Sequence, residues 1–141
     1  MALVGGGGAG NIAGSNPAGT SQSLSYYRTD EGTYVWAASG TIILTTADQT
    51  CLEFSTGNQL IFGDIEYGAD WNLAASTFIE LQVQFNDEIV WFDRVRRDTV
   101  NTANRGAPTF VIPPYTKFKV IMMSTDNFDV PVTVTLAGRA Y

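Results

Sequence analysis

The chain has 141 residues, a formal charge of −6, no histidine and a single cysteine, Cys51. That length suits one domain with a sizeable core, needing neither disulfides nor a structural metal. The acidic balance argues against general nucleic-acid binding, which needs clustered Lys and Arg, and the missing histidine removes Ser-His-Asp and Cys-His triads and imidazole metal ligands.

Residues 1–25 read as a flexible arm. Half of the 14 glycines fall in the first twenty residues, among Ser, Asn, Ala and Pro17. Gly5, Gly7 and Gly10 satisfy G-x-G-x-x-G, but no strand precedes them and no Gly-Lys-Ser/Thr follows, so no nucleotide site is expected. A segment of this composition cannot bury enough surface to offset its ordering entropy alone. The start MALVGGGG also lacks a basic and a long apolar region, so neither a signal peptide nor a membrane helix is expected.

Residues 26–141 read as one β domain. Tyr34–Ala37 and TIILTT are short aromatic and β-branched strands. TCLEFS and QLIFGDIEY follow, with Gly63 suggesting a bulge or bend. Cys51, within TCLEFS, reads as a free structural thiol packing as a small hydrophobe. Residues 68–76 form a loop carrying Asp70 and Trp71. Thr77–Asp93 is the clearest stretch: Ile79, Leu81, Val83 and Phe85 alternate with Glu80, Gln82 and Gln84, the period of a half-buried strand. Asn86-Asp87 then supplies a tight turn needing positive φ. EIVWFD is a second strand, apolar on both faces, so Val90 and Phe92 must be covered by another layer or by a partner subunit.

Residues 94–108 form a long polar connection holding Arg94, Arg96, Arg97 and Arg105, four of the eight cationic residues. Thr109–Ile112 is a short strand stopped by Pro113-Pro114. Tyr115–Met123 alternates with Lys117 and Lys119 outward. VPVTVTLAGRAY closes the chain, with Val130, Val132, Val134 and Leu136 inward. The expected fold is therefore all-β: a single antiparallel β-sandwich, jelly-roll-like, of eight to nine short strands.

Three constellations carry functional readings. Arg94, Arg96, Arg97 and Arg105, with Trp91 and Phe92, suit an electrostatic and apolar contact to a protein partner, where Arg pairs with carboxylates. The competing reading is a solvated loop neutralised by Asp93 and Asp98. Trp71, Tyr67 and Asp70 form the candidate glycan site of a carbohydrate- or receptor-binding sandwich. Asp64, Glu66 and Asp70 are the carboxylates a glycosidase or a Ca²⁺ site would need, but no EF-hand spacing accompanies them. No catalytic residue, metal or cofactor is expected.

The run VIPPYTKFKVIMM, followed by VTVTLAGRAY, resembles the last two strands of small all-β structural proteins of phages and other viruses, above all capsid decoration (cement) proteins and head or tail accessories. The uncharged arm ahead of a compact β domain fits the same family. The resemblance covers roughly the arm and the final thirty residues and carries no residue-defined site. It implies a jelly-roll-like or β-tulip-like domain, usually trimeric, that reinforces a capsid lattice. The expectation is thus a virion structural protein, made in the host cytoplasm, non-enzymatic and homotrimeric, with a capsid lattice as partner and neither nucleic acid nor membrane.

Overall fold

The computed structural model describes residues 24–69, 78–96, 104–106, 108–125 and 130–141; for Arg96 and residues 104–106 it describes the backbone alone. Residues 1–23, most of the expected arm, lie outside the described residues, as do Asp70, Trp71 and Arg97. Leu24 and Ser25, assigned to the arm by composition, belong to the folded part: Leu24 is buried and Ser25 opens the first strand.

Eleven strands occur among the described residues: β1 (Ser25–Thr29), β2 (Gly32–Ala38), β3 (Ile42–Leu44), β4 (Gln49–Ser55), β5 (Ile61–Ala69), β6 (Phe78–Phe85), β7 (Glu88–Arg96), β8 (Asn104–Gly106), β9 (Phe110–Ile112), β10 (Lys117–Ser124) and β11 (Val130–Ala140). The two beyond the expected count are β1 and β8. The first lies in the lead-in Ser25-Tyr26-Tyr27-Arg28, and the second inside the polar connection, where its three residues NRG show no periodicity. No helix among the described residues is long and apolar enough to cross a membrane.

The strands form two antiparallel sheets. The larger runs β1-β2-β11-β5-β8, with β3 also paired to β11 and β9 to β5. The smaller runs β4-β10-β6-β7. Alternation assigns one side of each sheet to a shared core. Ile79, Leu81 and Val83 of β6 and Phe118, Val120 and Met122 of β10 meet Ile61 and Ile65 of β5 and Val132, Val134 and Leu136 of β11. These are the inward residues that period-two alternation predicts. Aromatic rings run through the core near one edge: Phe54 stacks on Phe118 at 4.8 Å, Phe118 meets Phe85 at 5.8 Å, and Phe85 and Trp91 each meet Phe110 at 6.2 Å. Because Phe110 belongs to the larger sheet and Trp91 to the smaller, this chain of rings ties the two together.

Three local features set the geometry. The β6–β7 turn uses Asn86 and Asp87 with φ of 52° and 69°, the two positive angles the hairpin demands. Just beyond it a register shift makes a bulge, since Val83 pairs Trp91 but Gln84 pairs Ile89, leaving Val90 as the extra residue. Gly63, by contrast, makes no bulge. The β5–β11 register runs through it unbroken, Gly63 opposite Gly138. A β carbon on Gly63 would press on the Leu136 side chain, whereas one on Gly138 would collide with the Phe62 carbonyl oxygen, so the closest approach belongs to Gly138.

Pro113-Pro114 turns the chain as expected, with Tyr115 at φ 56°. The buried Thr56 hydroxyl braces this corner, donating to the Pro113 carbonyl and accepting from the Thr116 N–H, both at 2.8 Å. Its donor and acceptor are both used, so the buried polar group carries no desolvation penalty.

Candidate functional site: two exposed apolar surfaces

The residues predicted to bind a partner centre on β7. This strand is an edge of the smaller sheet and, among the described residues, pairs only with β6. A nine-residue edge presents unpaired backbone N–H and C=O groups, a template for further contact. Val90 is 46% exposed and Phe92 49%, and Ile89 beside them is exposed too. Nothing among the described residues covers these three, and no charged side chain separates them in sequence.

Trp91 requires a correction. Its ring is partly buried and packs onto Phe110 and the core, so it ties the two sheets together instead of standing outward with Phe92. Alternation is the reason: Phe92, its neighbour, takes the outer face opposite Gln82, while Trp91 pairs with the buried Val83. The three arginines of the cluster that lie among the described residues do not share one loop. Arg94 and Arg96 lie on β7, but Arg105 lies on β8 of the larger sheet, opposite Tyr67. Arg94 already has partners. Its Nε is 3.1 Å from Glu80 Oε1 directly across the ladder, and its guanidinium centre lies 4.4 Å from the Phe78 ring centroid. An exposed pair of this kind contributes up to about 1 kcal/mol.

The expected glycan site does not assemble around Tyr67. That side chain is 3% exposed and faces the core, on the inward phase of β5 with Ile61 and Ile65, so its ring is out of reach of a sugar. The carboxylates Asp64 and Glu66 occupy the outward phase of the same strand, and Asp64 Oδ1 accepts a hydrogen bond from Thr109 Oγ1.

A second exposed surface was not anticipated. The outer face of the larger sheet carries Tyr27 on β1, Trp36 on β2, Phe62 on β5 and Val111 on β9, all exposed, beside the exposed Tyr141. Register aligns Tyr27, Tyr34, Arg139, Phe62 and Val111 in one row across five strands. Arg139 donates to Tyr34 Oη at 2.8 Å and its guanidinium lies 4.8 Å from the same ring, while Phe62 meets Tyr141 edge-on at 5.4 Å. A signal for this row was present in the sequence: Phe62 falls on the outward phase of IFGDIEY, where Asp64 and Glu66 also fall.

The outer face of the smaller sheet away from β7 is polar instead. Lys119 bonds Asp87 across the hairpin end, and Lys117 lies 3.7 Å from both Asp87 and Glu53. The Lys119 hydrogen bond, helped by the Lys117 charge, holds the Asp87 carboxyl below its usual range, and the same bond raises Lys119. In the interior, burial pushes the Cys51 thiol up to about 12 from an ordinary 9.0, the hydrogen bond with the Met122 backbone only partly opposing it. Cys51 is therefore a packed hydrophobe without nucleophilic character at neutral pH. Among the described residues no three Cys, Asp or Glu side chains come together to hold a metal ion.

Comparison with family models, curated proteins and solved structures finds no match to this chain.

Proposed function

We propose that this chain is a non-enzymatic virion structural protein, a decoration subunit that binds and stabilises a capsid lattice. The observation that carries the reading is the β7 edge, where Ile89, Val90 and Phe92 stand exposed along a strand with no neighbour on its far side among the described residues. Apolar residues grouped on an open strand edge favour a macromolecular contact, because solvent gains nothing from them and a partner strand or face gains both burial and backbone hydrogen bonds. Arg94, at the rim, sets orientation and salt sensitivity more than affinity.

A jelly roll is the fold that suits this role, and the strand order supports it. Each sheet interleaves early and late strands: β2-β11-β5-β9 against β4-β10-β6-β7. Two interlocked Greek keys produce such an arrangement. In this reading the subunits act as a closed homo-oligomer, a cyclic trimer. Many weak contacts then add through symmetry, as multivalent attachment does.

The test is the protein composition of purified particles from the encoding system. A copy number comparable with the main shell protein supports the decoration role. A handful of copies per particle assigns the chain to a tail or vertex instead, and absence from particles ends the reading.

A further inference from the structure

The docking reading leaves the outer face of the larger sheet unused, and that face differs from β7 in one respect: its rings are interleaved with charge. Three registers describe it. Tyr34, Arg139 and Phe62 stand in line across β2, β11 and β5; Trp36, Ala137 and Asp64 stand in the next line; Ala38, Thr135 and Glu66 stand in the third. β2 therefore presents aromatic rings and β5 presents two carboxylates. Between them, on β11, the exposed Ala137 offers only a methyl group. The flanking columns are two strand spacings apart, about 9.5 Å, so Ala137 floors a shallow trough with Trp36 on one side and Asp64 on the other.

We infer that this trough binds an uncharged oligosaccharide. A dry protein contact across it would bury Asp64 and Glu66, and Arg139, the cation on the central strand β11, is already held on Tyr34 by a 2.8 Å hydrogen bond. Burying carboxylates without a partner is costly, and the centres of protein interfaces are depleted of charge for that reason. A pyranose removes the difficulty. Its C–H face packs on the 44%-exposed Trp36, and its hydroxyls donate to the carboxylates, which stay hydrogen-bonded. Thr109 holds the Asp64 carboxylate through one oxygen, and a carboxylate has further lone pairs to accept from a sugar. Two carboxylates on one wall repel sialylated or sulfated sugars, so selectivity runs toward neutral ones.

The experiment titrates the full chain with neutral hexasaccharides (cello-, xylo-, manno-, malto- and chito-), with sialylated and sulfated oligosaccharides alongside, following tryptophan fluorescence and calorimetric heat. The expected result is binding of at least one neutral hexasaccharide and none of the anionic ones. Trp36→Ala and Glu66→Gln should each weaken that binding about tenfold or more, the size of one lost stacking or charge-assisted contact. Glu66→Gln is isosteric and exposed, so it keeps the test valid even if Trp36→Ala fails to fold. Silence across the neutral panel, preference for anionic sugars, or binding indifferent to both Trp36→Ala and Glu66→Gln would overturn the inference. None of these outcomes bears on the particle-composition test.

Discussion

β7 and the outer face of the larger sheet both expose large apolar side chains, yet their surroundings differ. On β7, Ile89, Val90 and Phe92 follow one another along an open edge, with Arg94 set to one side against Glu80. On the larger sheet, Tyr34, Trp36 and Phe62 share their rows with Arg139 and Asp64. An uninterrupted apolar strip suits a partner that removes water completely. A mixed strip suits a ligand that brings its own hydroxyls. Exposure alone does not separate these cases; the placement of charge between the rings does.

The comparison can be sharpened within β7 itself. Trp91 and Phe92 are adjacent but face opposite ways, so their substitutions should diverge. Trp91→Ala should cost about 3 kcal/mol in urea unfolding, since it removes a ring from between the sheets. Phe92→Ala should change stability by less than about 0.5 kcal/mol while weakening particle binding. Equal stability losses would mean that Phe92 is a core residue and the strip is not a surface.

Cys51 supplies the buried counterpart to both surfaces. In the folded protein its thiol keeps its proton to about pH 12, whereas the unfolded thiol ionises from an ordinary 9.0. The folded state therefore binds the extra proton between those values. The contribution is fully present below pH 9 and declines through pH 12, by at most about 1.4 kcal/mol per pH unit. Stability measured from pH 8 to 11 should fall more steeply for the wild type than for Cys51→Ala. Parallel curves would show that the thiol is not desolvated.

The smallest effect belongs to Arg94. Arg94→Ala should cost less than about 1 kcal/mol of stability, because its bridge to Glu80 is solvent-screened. It should instead flatten the salt dependence of particle binding. An unaltered salt dependence would leave Arg94 with a purely local role in the β6–β7 ladder.

Much of this architecture was legible in advance. The alternation in TFIELQVQF and KFKVIMM assigned the inward faces of β6 and β10, and Asn86-Asp87 announced its turn, because period and turn chemistry are local properties. What escaped was non-local. Trp91 and Phe92 look equivalent in the string EIVWFD, and only pairing with Val83 and Gln82 separates inside from outside. Tyr67 looked available beside Trp71 because its strand seemed to end earlier, but β5 runs on to Ala69 and carries Tyr67 inward. Gly63 pointed to a bulge or bend, yet what crowds it is the Leu136 side chain of β11, seventy-three residues away in the chain and on the neighbouring strand. The aromatic row on the larger sheet draws one residue from each of five strands, so no window of sequence contains it.

The most direct test of the docking claim sets the two surfaces against each other. Particles stripped of this chain would be reloaded with wild type, with Val90→Asp/Phe92→Asp, or with Trp36→Ala, after circular dichroism confirms that each is folded, and occupancy measured by quantitative mass spectrometry. The account predicts full occupancy for wild type and Trp36→Ala and loss of about a hundredfold in affinity for the β7 variant, the scale of a hot-spot pair. Normal loading of the β7 variant, or failure of Trp36→Ala alone, would contradict it.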